Sequence, residues 1–166
     1  MKVLFICSGN SKNGISPIIK NQGTSLQKCR VDIDYFPIQG KGLWGYLQNV
    51  KTLRKYYKKK KKYQIVHAHY LLSGVVATLA GCNNLIVSLM GSDVYENKNI
   101  LPFLRFFSQC FWKACIVKSF DMAKKIAPLK VHIISNGVNF NQFYEIEKKQ
   151  AQRVVRFSSQ KKIYFF

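Results

Sequence analysis

The sequence predicts an α/β domain built on a doubly wound, mostly parallel sheet. Short runs that are almost wholly apolar recur along the chain, and polar loops holding Gly, Ser, Asp or Asn follow most of them. Between the runs lie longer stretches whose apolar residues fall three and four positions apart, the spacing of one helix face. Strands that are apolar at nearly every position belong in a sheet covered by helices on both sides.

Each element can be justified in turn. Val3 to Cys7 is too short for a signal-peptide core and runs straight into the polar stretch Ser8 to Gly14, so it reads as a buried first strand. A helix is expected over Ser16 to Cys29. Val31 to Phe36 alternates apolar and polar residues and reads as a second strand closed by Pro37. Gly40-Lys41-Gly42 breaks the chain. Leu43, Leu47, Val50, Leu53, Tyr56 and Tyr57 then mark one helix reaching about Lys60.

Ile65 to His69 is the third strand, and Leu71 to Ala80 a largely apolar helix ended by Gly81. Leu85 to Leu89 is the fourth strand. A Phe-rich helix follows from Ile100 to Lys113, its Phe103, Phe106, Phe107 and Phe111 expected in the core. Ala114 to Val117 and Val131 to Ile134 complete six strands, with a short helix over Asp121 to Ala127 between them. Six such strands predict a Rossmann-like sheet, whose ligands sit beyond the strands' carboxyl ends. Glu145 to Arg156 reads as a polar helix and Lys161 to Phe166 as the start of another strand. The expected organisation is a domain over 1–143 and, over 144–166, a linker with the beginning of a second domain. The unpaired apolar edge at the end leads to the expectation that the chain is cut short.

The length of 166 residues suits one domain with a full core. The longest apolar stretch, Leu71 to Gly81, is well short of the ~20 residues of a spanning helix, so a cytoplasmic protein is expected. The five cysteines form no zinc or redox spacing and read as reduced, buried thiols. The 27 basic against 7 acidic residues give a net charge of +20, which attracts polyanions. Lys58, Lys59, Lys60, Lys61 and Lys62 concentrate it. That run fits the solvated end of a surface helix, or contact with an anionic membrane at its inner face, with Trp44, Tyr56 and Tyr57 at the interface. A nucleic-acid-binding module is the alternative reading. It rests on charge alone, without a recognised motif, so no specific nucleic acid partner is expected. An oxidoreductase is disfavoured, because the dinucleotide glycine fingerprint is missing and Phe36-Pro37 stands where an acid should close the second strand.

The glycine loop after the first strand, Val66-His67-Ala68-His69, Val87 to Asp93, Val117-Lys118-Ser119 and Ile133 to Phe143 occur in an order and spacing that resembles glycosyltransferase family 4. The similarity covers about residues 1 to 145 and concerns the N-terminal, acceptor-side half of a GT-B fold. It implies transfer of a sugar, with retention, from a nucleotide-sugar cosubstrate to a saccharide or lipid-linked acceptor, as in cell-envelope polysaccharide synthesis. No other cofactor is implied. The donor and its paired glutamates would belong to a C-terminal domain, the expected partner of this one. Glu145 and Glu147 do not match that pair, so the isolated chain is expected to be inactive. Many relatives carry His-Gly after the fourth strand. Here Met90 precedes Gly91, and a thioether cannot replace an imidazole donor, which moves the catalytic expectation to His69 and Asp93.

The resulting site candidates are Gly9, Gly14, His69, Gly91, Ser92, Asp93, Ser119, Asn136 and Gly137. Gly9 and Gly14 fit either a backbone cradle for an anionic group or an ordinary turn. His67 and His69 share one strand face; His67 is expected to be structural and His69 to reach the cleft. Asp93 fits an acceptor contact or a helix cap equally. Asn136 and Gly137 are expected to turn into the linker. No metal is expected, because the two histidines lack a third ligand.

Overall fold

A computed structural model describes residues 1–60, 63–96, 100–141 and 143–156. Six parallel strands form one sheet: β1 (Lys2–Ser8), β2 (Asp32–Ile38), β3 (Ile65–His69), β4 (Leu85–Ser88), β5 (Ala114–Val117) and β6 (His132–Ile133). The helices are α1 (Pro17–Lys28), α2 (Gly42–Leu47), α3 (Val50–Lys60), α4 (Leu71–Ala80), α5 (Ser92–Tyr95), α6 (Ile100–Cys110), α7 (Phe120–Lys125) and α8 (Lys148–Val154). The sheet order is β2-β1-β3-β4-β5-β6, so the chain reverses its direction of travel at β1. Two units separate, Met1–Asn136 and Gly137–Phe166. The first holds the sheet. In the second, α8 is a short helix with no buried residue. The strand expected over 161–166 lies outside the described residues.

Period two divides the strand side chains between two cores. One face carries Leu4, Ile6, Val66, Ala68, Val87 and Val117 against α2, α3, α4, α6 and α7. The other carries Val3, Phe5, Cys7 and Ile33 against α1 through Ile19. The apolar runs are continuous because both faces of β1 are covered: Val3 to Cys7 are all buried. β6 is the exception, a two-residue edge strand with both residues exposed.

Four expectations need correction. β2 does not stop at Phe36 but continues through Pro37, which pairs in register with Cys7. β2 is an edge strand, so the ring and the missing N–H cost no second ladder. The helix expected from Leu43 to Lys60 is two helices. Asn49 interrupts it by donating from Nδ2 to the carbonyls of Gln39 (2.8 Å) and Gly45 (2.7 Å). The Phe-rich helix does not bury its aromatic residues as a group. Leu104 faces the core and Phe107 packs against it, while Phe103, Phe106 and Phe111 are exposed at 40%, 56% and 50%. A helix lying on a sheet has one inward stripe, and Leu101, Leu104 and Phe107 occupy it. All five cysteines are free, but only Cys7, Cys82 and Cys115 are buried; Cys29 and Cys110 are exposed. Burial pushes each of the three buried thiols up to about 12.

Candidate functional site

Because every strand points the same way, the loops after β1, β3, β4, β5 and β6 emerge at one rim. The reversal of strand order leaves a crevice there between β1 and β3, where such sheets bind ligands. Gly9 opens the loop on the β1 side. Its N–H donates to the Ile38 carbonyl at 2.8 Å. A side chain at Gly9 would come within 2.9 Å of Pro37 Cβ and 3.2 Å of Ile38 O. Glycine is needed here for close approach to β2. Gly14 closes a small bridge with Ser11, just before α1.

β3 delivers the histidines. His67 is buried, and its Nε2 hydrogen-bonds with Ser88 Oγ at 2.8 Å. His69, at the strand end, is 1% exposed, and its Nε2 has no hydrogen-bond partner. The two rings stack at 4.2 Å, and Phe5 meets His69 edge-on at 4.6 Å. Burial, then the charge of Lys118, lowers the His67 pKa to about 4. Burial also holds His69 well below its ordinary value, with His67 and Lys118 adding to the effect. Both rings are therefore neutral at pH 7, and His69 retains a free hydrogen-bonding nitrogen. Lys118 follows β5 on the same sheet face, and burial lowers its pKa too. Among the described residues no carboxylate forms a salt bridge with it.

The loop after β4 is organised by Asp93. Its carboxylate is 1% exposed and accepts from the backbone N–H groups of Met90 (2.9 Å), Gly91 (2.9 Å) and Leu71 (3.0 Å). Burial raises its pKa against the pull of those amides. Gly91 has φ +113°, a conformation that favours glycine. Asp93 thus turns inward and braces the loop, while Ser92 is exposed beside it. Tyr70 precedes Leu71 with φ 88°, costly for a bulky residue. Its N–H donates to the Ser88 carbonyl at 2.8 Å and its carbonyl accepts from Gly74 N–H at 3.1 Å.

Ser119 caps α7, its Oγ accepting from Met122 N–H at 3.3 Å. Asn136 is exposed at the end of the first unit, and Gly137 opens the second. Of the lysine run, Lys58, Lys59 and Lys60 end α3; Lys61 and Lys62 lie outside the described residues. The rim therefore gathers Gly9, Gly14, His69, Gly91, Ser92, Asp93, Ser119 and Asn136 by topology. Lys118 belongs to the Val117-Lys118-Ser119 motif of the sequence, yet neither it nor the strained Tyr70 stood among the site candidates. The positive φ at Tyr70 leaves no trace in composition. Among the described residues, no three of His, Cys, Asp and Glu assemble as metal ligands. A cavity of about 570 Å³ between Trp112, Lys113 and Lys130 lies at the opposite rim. Its size does not make it the chemical site, because the unpartnered imidazole and the loop ends are elsewhere.

Such an all-parallel, doubly wound sheet with a polar carboxyl rim and a neutral imidazole in it defines a Rossmann-like ligand-binding domain. The chain belongs to the family described as glycosyl transferase 4-like, whose sequence model matches residues 3–127. It is a glycosyltransferase domain of that family. No curated protein matches the chain.

Proposed function

We propose that this domain forms the acceptor side of a retaining sugar transfer, with a nucleotide-sugar as cosubstrate and a saccharide or lipid-linked acceptor. The observation that carries the acceptor assignment is His69: a buried, neutral imidazole whose Nε2 is unpartnered, at the strand end beside the crevice. The Nε2 is enclosed as well as unpartnered, so a sugar hydroxyl would reach it once the rim loops part, and would then offset the roughly 1–3 kcal/mol that a buried polar atom without a partner costs. Lys118 on the same face would favour an anionic group on the ligand. Asp93 serves by fixing the Gly91 loop and the start of α4 rather than by exchanging a proton with substrate. The chemistry would then rest on positioning: the acceptor hydroxyl is aligned with the anomeric carbon and water is kept out.

Saccharide binding, followed through the imidazole resonances by NMR, tests the acceptor side. A saccharide that shifts His69 supports the reading. A saccharide that leaves His69 unmoved, while free nucleotide shifts it, would reassign the rim to the donor. Transfer is read as nucleoside diphosphate released from a panel of nucleotide-sugars in the presence of saccharides. The anomeric configuration of the product decides retention, and an inverted product overturns that step.

A further inference from the structure

We infer that the outer layer formed by α3, α4 and α6 docks on an anionic lipid bilayer, through a basic strip on α3 beside an aromatic ridge on α6. This does not depend on the sugar-transfer reading.

The three helices belong to one face of the sheet, as Leu53, Val76 and Leu104 share one core. They are tied together as a plate. Arg54 donates from Nη2 to the Leu79 carbonyl at 2.5 Å, joining α3 to α4. Trp112, just past α6, donates from Nε1 to Thr78 Oγ1 at 3.1 Å, joining α6 to α4. None of the three helices contains a single Asp or Glu. On α3, Lys51, Arg54, Lys55, Lys58 and Lys59 are exposed. Lys60 is set apart, because it turns to Asp34 at 3.2 Å. α6 adds Arg105, exposed between the Phe residues.

The apolar part is equally local. Phe106 meets Phe107 at 5.5 Å and Phe111 at 5.8 Å, both edge to face, and Phe103 meets Phe107 at 4.5 Å. Leu79, on α4, whose carbonyl Arg54 holds, is 43% exposed. An open cavity of about 520 Å³ between α3 and α4, lined by Arg54, Tyr57 and Lys58, offers room for an anionic head group.

Charge selects the occupant. A second copy of a chain carrying +20 would bring like charges together. A nucleic acid would satisfy the lysines, but strand binding needs stacking rings interleaved with the basic residues, and the exposed Phe rings stand on α6 while the lysines stand on α3. An anionic bilayer satisfies both halves: head groups take the lysines, and the Phe edges and Leu79 enter the acyl boundary. In each strand–helix–strand unit the helix returns toward the amino ends of the strands. Lys58, Lys59, Leu79 and Phe111 therefore gather away from the loop rim, which stays open to ligands.

The test is flotation of the full chain with vesicles of phosphatidylcholine alone or mixed with phosphatidylglycerol, at physiological salt. The wild type is expected to float with the anionic vesicles only. Phe103→Ser/Phe106→Ser/Phe111→Ser and Lys51→Gln/Lys55→Gln/Lys58→Gln/Lys59→Gln should each weaken binding about tenfold or more, since either half alone is insufficient. Removing four charges elsewhere, Lys12→Gln/Lys20→Gln/Lys28→Gln/Lys130→Gln, should change it about twofold at most, with salt sensitivity intact. All the sites are exposed, and circular dichroism checks that each variant folds. Unchanged flotation of the Phe variant overturns the proposal, as does an equal loss in the control set. So does a wild type that ignores anionic vesicles but dimerises through the Phe ridge, or that prefers an oligonucleotide to the vesicles.

Discussion

The Asp93 carboxylate accepts the backbone N–H of Leu71 at 3.0 Å, binding the first turn of α4 to the loop that follows β4. The same carboxylate holds the amides of Met90 and Gly91, so one buried side chain fixes two of the rim loops. An amide in its place would direct an NH2 group at backbone N–H donors. Asp93→Asn is therefore expected to lose about 1–3 kcal/mol of stability, read from urea unfolding midpoints. Hydrogen exchange should quicken first at Leu71 and Gly91. An Asn variant as stable as the wild type would mean that the carboxylate is not the brace.

The histidine pair makes stability depend on pH in a defined direction. The His67 pKa is lowered from 6.5 to about 4 in the folded state, so the unfolded chain binds more protons between those values. Its stabilising share is complete above pH 6.5 and is lost as the pH falls toward 4. For His67 alone the loss amounts to roughly 3 kcal/mol, and His69, shifted the same way, adds to it. His67→Gln should flatten the stability profile between pH 6.5 and 4, measured as unfolding midpoint against pH. An unflattened profile would place the titrating groups elsewhere.

The strands were legible because two covered faces leave almost no room for polar residues, as Val3 to Cys7 demonstrate. The helix Leu71–Ala80 matched its expected bounds because Gly81, in the left-handed conformation, ends it. The break before α3 was not legible, since Leu43, Leu47, Val50 and Leu53 keep helical spacing across it. It depends on Asn49 reaching Gln39, a tertiary contact. The same limit applies at the site. The position of His69 at a strand end could be read from the pattern, but the inward turn of Asp93 depends on Leu71, twenty-two residues earlier. The Phe residues of α6 were misplaced because composition does not say which of them fall on the one inward stripe.

Gly9 and Gly91 are both at the rim, yet substitution should hurt for different reasons. At Gly91 nothing lies within 4 Å of an added Cβ, and the cost is the φ of +113°. At Gly9 the backbone is ordinary, and Pro37 Cβ at 2.9 Å and Ile38 O at 3.2 Å obstruct the Cβ. Each Ala variant should lose about 1–3 kcal/mol. Gly91, at φ +113° and ψ −62°, lies outside the left-handed helical region that Asn tolerates, so Gly91→Asn should do no better than Gly91→Ala, whereas Gly9→Asn should be worse than Gly9→Ala. Thermal unfolding of the four variants distinguishes the two mechanisms, and a Gly91→Asn that regains stability, or a Gly9→Asn equal to Gly9→Ala, would refute the assignment.

Lys118 should reveal whether the rim gives up stability for ligand. Its ammonium is half-buried on a face shared with two neutral imidazoles, and burial lowers its pKa. The charge on Lys118 in turn depresses both histidines. A methionine keeps most of the stem and removes the charge, so Lys118→Met should gain a few tenths to about 1 kcal/mol of stability. The histidines should then titrate at higher pH by NMR. If the domain holds an anionic acceptor, the same variant should bind it more weakly while a neutral saccharide binds unchanged. A variant that is destabilised, and in which the histidines titrate as before, would show that Lys118 extends into solvent and takes no part in the rim.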